Sequence, residues 1–197
     1  MNKYFKKYKW SNIYRMLRNQ KLKPIRCKIK FKNRFVVITG AKSGIGLETA
    51  KKYAKEGADI LSINRDENKS KELCKMLKDS YGTNCSYFIA DFSNLSDVHK
   101  VAKKLKNLDR NIDVLIHNAG VYLTQKTITK DNLEKVFQTN YLSTVIINYY
   151  IKEKFIKQNS GRIIFVNSEA HRFAVWGLHL DDLKWDKYKY SGLKSYG

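Results

Sequence analysis

The chain has 197 residues, of which 43% are hydrophobic, and this is enough for one domain with a buried core. No apolar run approaches the roughly 20 residues that span a bilayer, and the lysines and arginines of the first stretch argue against a secretory signal. The three cysteines, Cys27, Cys74 and Cys85, are widely spaced and odd in number. We therefore expect neither a disulfide scaffold nor a zinc cluster, and a reducing compartment fits.

The net charge of +21 is concentrated at the N-terminus, because residues 1–34 contain 13 of the 39 basic side chains and none of the 18 acidic ones. An apolar stripe at helical spacing predicts that part of this arm is an amphipathic basic helix, formed by Trp10, Ile13, Tyr14 and Leu17. We predict a basic arm over residues 1–32. A solvated tail is its plainest interpretation, and peripheral contact with an anionic membrane or organelle targeting comes next. Contact with nucleic acid ranks last, so we expect a cytoplasmic protein without a nucleic-acid partner.

From residue 33 onwards, strand-like and helix-like segments alternate. The apolar run 35-FVVIT-39 predicts a buried strand, and a helix follows over residues 44–56. Further strands are predicted at residues 58–64, 85–91, 112–118 and 161–168, with helices at 67–80, 96–108 and 130–157. This alternation predicts an α/β fold over residues 33–197, a doubly wound parallel sheet of the Rossmann type.

A glycine-rich turn follows the first predicted strand directly, in 39-TGAKSGIG-46. Such a turn lets the backbone approach a pyrophosphate, and the next helix offers free N–H groups and partial positive charge at its start. An ordinary strand-to-helix turn is the alternative, but the position of the turn in the alternating pattern favours dinucleotide binding. The predicted contacts in this loop are Gly40, Lys42, Ser43, Gly44, Ile45 and Gly46.

The spacing T-G-x-x-x-G-x-G resembles the glycine motif of the short-chain dehydrogenase/reductase family. Further marks of that family follow in order at predicted strand ends or on a predicted helix: Asp91, 118-NAG-120, Asn140 and Ser168. Each alone could be a turn, cap or surface residue, but as a set they lie where parallel sheets bind ligands. The resemblance implies that Asp91 lies beside the adenine ring and that Ser168 and Asn140 are catalytic. It also implies cofactor contacts from Asn118, Ala119 and Gly120.

The end of the second predicted strand, 60-ILSINRD-66, bears on the choice of cofactor. A ribose 2′-hydroxyl is typically held by an acidic residue at this point, whereas a 2′-phosphate requires a cation. Asn64 takes the acidic position, Arg65 follows it, and Lys42 adds a second cation. We therefore predict NADP(H) rather than NAD(H). In the alternative, Arg65 faces solvent and Asp66 discriminates.

The segment 190-YSGLKSYG-197 contains two candidates for a catalytic tyrosine, Tyr190 and Tyr196. In the resembled family a tyrosine exchanges a proton with the substrate oxygen, and a lysine four residues later lowers its pKa. Tyr190 and Lys194 fit this spacing literally, although Gly192 between them is a poor helix residue. Residues 179–197 are similar to an insertion of the retinol-dehydrogenase-like branch, in which the reactive tyrosine comes last. That alignment implies Tyr196, with its lysine at position 200, beyond the sequence.

These features predict an NADP(H)-dependent oxidoreductase that interconverts a carbonyl and an alcohol, without a metal. The resemblance to the branch suggests a hydrophobic small-molecule substrate. We also expect the sheet to be incomplete at the C-terminus, as in a fragment or a truncated product, and expect a homo-oligomer only of a full-length form. The alternative is a dinucleotide-binding module without catalysis, which the missing lysine favours.

Overall fold

The computed structural model describes residues 10–23, 29–173 and 177–197. Part of the predicted basic arm, including Cys27, lies outside these residues. Five parallel strands form one sheet in the order β3-β2-β1-β4-β5. Their bounds are β1 Phe35–Thr39, β2 Asp59–Asn64, β3 Cys85–Ile89, β4 Val114–His117 and β5 Arg162–Phe165. The fold class predicted from the alternating pattern is confirmed.

Helices cover both faces of this sheet. The helices of the described residues are α1 Trp10–Gln20, α2 Gly44–Lys55, α3 Glu67–Tyr81, α4 Leu95–Lys106, α5 Ser143–Gln158 and α6 Gly192–Tyr196. Of these, α2 to α5 pack on the sheet. One apolar cluster joins α4 and α5 to residues such as Val37 and Leu115, and the other joins α2 and α3 to Val36 and Ile116. Neighbouring residues of the central strands therefore face opposite layers, which is why β1 reads as a continuous apolar run.

The predicted helix over residues 130–157 begins later than expected. Ile128 pairs with Glu134 in an isolated antiparallel bridge, and a π-helix then spans Phe137–Leu142 before α5. Single π-helical turns inside longer helices are frequent at functional sites. The predicted strands over 85–91 and 161–168 are shorter than expected, so Asp91 and Ser168 lie in the loops just beyond β3 and β5.

Helix α1 contributes nothing to the core, because none of its described residues is buried. The chain joins the domain at Phe31, whose ring packs edge-on against Tyr53 of α2, and at Lys30, which pairs with Glu56. In the described part of the chain, no helix is both long and apolar enough to cross a bilayer.

The expectation about the cysteines is wrong for two of them. Cys74 of α3 and Cys85 of β3 form a disulfide, with their Cα atoms 4.9 Å apart. The two cysteines are 11 residues apart in sequence, and nothing in that spacing predicts that they pair. They meet because α3 packs back along the sheet, so that its middle lies against the start of β3. One disulfide therefore ties α3 to the edge of the sheet.

Candidate functional site

The carboxyl ends of β1 and β4 are held together by Thr39. Its Oγ1 accepts hydrogen bonds from the backbone N–H groups of Asn118 and Ala119, both at 3.0 Å, and donates to the Ile116 carbonyl at 3.4 Å. In return, Asn118 Nδ2 donates to the carbonyl oxygens of Thr39 and Gly40, both at 3.1 Å. These bonds fix the loops after the two strands relative to each other.

Gly46 and Gly44 serve different purposes in the turn before α2. A Cβ at Gly46 would overlap the Gly40 carbonyl oxygen and lie 2.5 Å from Asn118 Nδ2, so helix α2 can pack onto the sheet only with glycine here. Gly44 has φ +55°, and no described atom lies within 4 Å of the position a Cβ would take. Gly44, the first residue of α2, is therefore in an open position, and neither it nor Gly46 is among the residues that line the cavity at this end of the sheet.

The start of α2 fits an anion. Ser43 occupies the N-cap position, yet its side chain makes no capping hydrogen bond in the described part of the chain. The first N–H groups of a helix need acceptors, and the helix dipole favours negative charge there. With the open space at Gly44, this arrangement fits a pyrophosphate.

A cavity of about 350 Å³ opens at this end of the sheet. Its lining includes nine residues predicted from the sequence: Gly40, Lys42, Ser43, Ile45, Arg65, Asp91, Asn118, Ala119 and Gly120. Asn64, which the sequence placed at the position that discriminates between the two cofactors, also lines it. The sequence analysis did not assign the other lining residues, namely Ile63, Ala90, Phe92, Val121, Lys135 and Thr139. Most of these neighbour a predicted site residue. Lys135 and Thr139 are four residues apart, a spacing that places side chains on one helix face.

The side chains at the end of β2 and just after it favour a negatively charged ligand. Asn64 is buried, its Nδ2 donates to Ser70 Oγ at 3.1 Å, and its Oδ1 has no hydrogen-bond partner among the described residues. The Asp66 carboxylate accepts from the backbone N–H of Lys69 at 3.0 Å as the N-cap of α3, and this bond lowers its pKa. Asp66 thus serves the helix, while Arg65 lines the cavity.

Asp91 lines the cavity with a carboxylate that is already hydrogen-bonded. Its Oδ1 accepts from both the backbone N–H and the hydroxyl of Ser93, each at 2.8 Å. Burial acts to raise the pKa of Asp91, but these two bonds together with the charges of Lys135 and Arg65 lower it overall. The carboxylate therefore stays ionised at neutral pH and orders the turn after β3.

Asn140 lies in the π-helix and binds the loop after β4. Its Oδ1 accepts from the Val121 N–H at 2.8 Å, and its Nδ2 donates to the Val121 carbonyl at 2.9 Å. Ser168 lies in the loop after β5, where its Oγ accepts from the Ala170 N–H at 3.1 Å. In the described structure both side chains are hydrogen-bonded to backbone groups. Neither they nor Tyr196 line the cavity.

The two candidate tyrosines occupy different surroundings. Tyr196 lies on α6, and its ring meets that of Tyr122 edge-on with centroids 5.4 Å apart. The hydroxyl of Tyr190 lies 3.3 Å from the Leu123 carbonyl and 3.4 Å from the Glu134 carboxylate. Burial and that carboxylate raise the pKa of Tyr190, the opposite of what proton abstraction requires.

Two contacts link the segments that carry the three predicted catalytic residues. Helix α6 packs against the 3-10 helix Glu169–Phe173, which follows Ser168. Asn140 holds Val121, and the next residue, Tyr122, contacts Tyr196. Among the described residues, no group of three or more His, Cys, Asp or Glu side chains could hold a metal ion.

Comparisons with known proteins bear on the family and the fold of this chain. The family model described as short chain dehydrogenase matches residues 34–178. Human retinol dehydrogenase 11 is 30% identical over 167 residues, covering 84% of this chain and 52% of that protein. The human WW domain-containing oxidoreductase is 32% identical over 144 residues, covering 73% of this chain and 35% of that protein.

A solved relative has the same fold. The short-chain dehydrogenase from Sphingobium yanoikuyae in complex with NADPH superposes with a TM-score of 0.64 at 27% identity, covering 70% of this chain and 54% of that one. The chain thus spans between 35% and 54% of the lengths of these three relatives.

Proposed function

The chain belongs to the short-chain dehydrogenase/reductase family and resembles its retinol-dehydrogenase-like branch, and on that premise we propose that it uses NADP(H) to interconvert a carbonyl and an alcohol. The cavity between the glycine turn, Arg65 and Asp91 carries this proposal. It lies at the carboxyl ends of the parallel strands, where such sheets bind nucleotides. The substrate is a small carbonyl or alcohol compound of hydrophobic character.

Two cations and a missing carboxylate support NADP(H) over NAD(H). Lys42 and Arg65 both line the cavity, Asn64 stands at the acidic position, and the Asp66 carboxylate is held by the start of α3. A guanidinium recognises a phosphate with two parallel hydrogen bonds, whereas a carboxylate at this point would repel it. The Sphingobium relative was solved with NADPH.

In this reaction each of the three predicted catalytic residues has one role. A nicotinamide cofactor held in the cavity would supply or accept the hydride at the substrate carbon. Tyr196 exchanges a proton with the substrate oxygen, and the Ser168 hydroxyl donates a hydrogen bond to that oxygen. Asn140 holds the Val121 backbone and so positions the loop between the cofactor cavity and Tyr196.

Cofactor binding and turnover test this function separately. The chain should bind NADPH and oxidise it with at least one of a panel of aromatic and long-chain aldehydes and ketones, followed by the loss of NADPH absorbance. Tyr196→Phe should abolish turnover and leave NADPH affinity unchanged, because it removes only the hydroxyl. Tyr188→Phe removes a hydroxyl from an exposed tyrosine of the same segment and serves as the matched control.

Three outcomes would change the proposal. A wild-type chain that fails to bind NADPH would overturn it. Binding without turnover would instead favour the alternative of a cofactor-binding module. Full activity in Tyr196→Phe would move the proton exchange away from Tyr196 and reopen the case for Tyr190.

We also propose that the basic arm makes peripheral contact with anionic membranes. In α1 the apolar side chains Trp10, Tyr14 and Leu17 are 72%, 70% and 50% exposed. They share the helix with Arg15 and Arg18 and lie in a region without acidic residues. An amphipathic helix of this kind binds lipid through its apolar face and through attraction to anionic headgroups.

Vesicle co-sedimentation tests this contact. Binding should appear with vesicles that contain phosphatidylserine and be lost with phosphatidylcholine alone. Leu17→Glu should weaken it more than Asn19→Glu, which makes the charge more negative by the same amount on the other side of the helix. Equal binding to both lipid compositions, or equal losses in the two variants, would contradict the proposal.

A further inference from the structure

Glu134 is a fully buried carboxylate that the reaction above does not use, with a relative exposure of 0%. Its Oε1 accepts from the Val136 N–H at 3.0 Å, and its Oε2 accepts from the Phe137 N–H at 2.8 Å. Ser195 Oγ donates to Oε2 at 3.1 Å, and the Tyr190 hydroxyl lies 3.4 Å from Oε1. One carboxylate therefore joins the start of the π-helix to the segment around Ser195, which lies 61 residues further along the chain than Glu134.

Each of these two segments leads directly to a predicted catalytic residue. Phe137 opens the π-helix that carries Asn140, so the bonds to Val136 and Phe137 order the start of that helix. Ser195 immediately precedes Tyr196 on α6. Successive residues of a helix point about 100° apart, so a bond that holds the Ser195 side chain inward also sets the direction in which Tyr196 points.

Further contacts place the same tail against the loop after β4. A Cβ at Gly192 would overlap the Leu123 carbonyl oxygen. Helix α6 therefore lies so close to the loop that only glycine fits at this position. Lys126 Nζ pairs with Asp186 at 2.7 Å and donates to the Trp185 carbonyl at 2.9 Å. These contacts fix where the tail lies, and the Glu134–Ser195 bond fixes how its last turn is rotated.

We propose that Glu134 is a positioning residue that sets Tyr196 relative to Asn140, an inference that rests on the proposed function. A buried carboxylate is costly unless hydrogen bonds satisfy it, and here the donors come from both of the segments that must be aligned. Breaking the bond to Ser195 leaves the cofactor cavity intact and releases only the last turn of the chain. The expected consequence is a loss of turnover without a loss of cofactor affinity.

Ser195→Ala tests the inference, because it removes the tail's hydroxyl and keeps the bonds of Glu134 to its own helix. It should lower kcat by about tenfold or more, since small misplacements of reacting groups cost up to about a hundredfold, with the Kd for NADPH within about twofold of the wild type. The amides of Ser195 and Gly197, which donate to the carbonyls of Ser191 and Leu193, should exchange hydrogen faster. Ser195→Thr restores a hydroxyl and should restore both properties.

Ser191→Ala is the matched control. It deletes a hydroxyl from the same short segment, at an N-cap position whose side chain makes no capping hydrogen bond within the described residues. It should leave kcat and the exchange of the α6 amides unchanged. Glu134→Gln, which keeps the shape but replaces one acceptor with a donor, should reproduce the Ser195→Ala effects if it folds.

The outcomes separate this inference from the proposed function. Unchanged kcat and unchanged exchange in Ser195→Ala would overturn the positioning role, as would faster exchange with unchanged kcat. Equal losses of kcat and NADPH affinity would also overturn it, because they would indicate general destabilisation. If the wild type binds NADPH without turnover, the catalytic part of the proposed function fails, and the exchange rates alone still decide whether Glu134 orders the tail.

Discussion

Thr39 and Asn118 bind each other reciprocally: Thr39 Oγ1 lies 3.0 Å from the Asn118 backbone nitrogen, and Asn118 Nδ2 lies 3.1 Å from the Thr39 carbonyl oxygen. The two residues are 79 positions apart in sequence. Thr39 is the last residue of β1 and Asn118 directly follows β4, and these two parallel strands are neighbours in the sheet. Neither loop can shift without breaking bonds in both directions. These bonds hold the loop that carries Asn118 and Ala119, which line the proposed cofactor site, against the end of β1.

Replacing Thr39 with Val should destabilise the fold by about 1–3 kcal/mol, because the N–H groups of Asn118 and Ala119 lose their shared acceptor while the side-chain shape is kept. Urea unfolding followed by circular dichroism measures this change. Thr39→Ser keeps the hydroxyl and should recover most of the stability. A Val variant as stable as the wild type would show that these bonds do not contribute.

Alanine at Gly46 and at Gly44 should have different effects. Gly46→Ala places a Cβ against the Gly40 carbonyl and Asn118, and such overpacking costs about 1–3 kcal/mol of stability. Gly44→Ala meets no described atom within 4 Å and costs about 1 kcal/mol for its positive φ. Because Gly44 is the first residue of α2, whose start is proposed to bind the pyrophosphate, the added methyl group should weaken NADPH binding about tenfold or more. Thermal melts and equilibrium titrations distinguish the two, and equal effects on stability and binding would contradict this division.

Arg65→Asp should lower the affinity for NADPH far more than that for NADH. Loss of a charge-assisted bond to the 2′-phosphate corresponds to about a tenfold to hundredfold weakening, whereas NADH has no such phosphate. Titration with both nucleotides measures the two dissociation constants. Lys75→Glu makes the same change in charge on the exposed side of α3 and controls for the overall field. Equal losses for the two nucleotides would contradict the assignment of NADP(H).

Acidification should destabilise the protein through His117. This side chain is 4% exposed, its Nε2 lies 2.9 Å from Asn148 Oδ1, and burial lowers its pKa despite that bond. The folded state therefore keeps His117 neutral, while the unfolded chain takes up a proton below about pH 6.5. Stability should fall as the pH drops below that value, until the lowered folded-state pKa is reached.

Thermal melts across that pH range measure the effect in the wild type and in His117→Gln. The variant cannot be protonated at this position, so the slope of its melting temperature with pH should be smaller. Parallel slopes in the two proteins would show that His117 does not contribute to the pH dependence.

Local patterns in the sequence identify most of the elements that build the site. The β-branched run 35-FVVIT-39 and the turn around Gly44 reflect backbone sterics and side-chain periods that act over a few residues, so they can be read without the fold. The boundaries of the helix around Asn140 could not be predicted as well from the sequence. The bridge between Ile128 and Glu134 replaces its predicted first turn, and that pairing depends on how the whole loop packs.

By itself, the sequence determined the alternating α/β pattern, the glycine turn and the order of the family's marks, because each depends on short-range spacing. Only the tertiary structure paired Cys74 with Cys85, directed Asn140 at Val121 and placed the Tyr190 hydroxyl against Glu134. Hydrogen bonds such as that between Ser195 and Glu134 join residues 61 positions apart. Their existence depends on how strands and helices pack, and no local propensity encodes it.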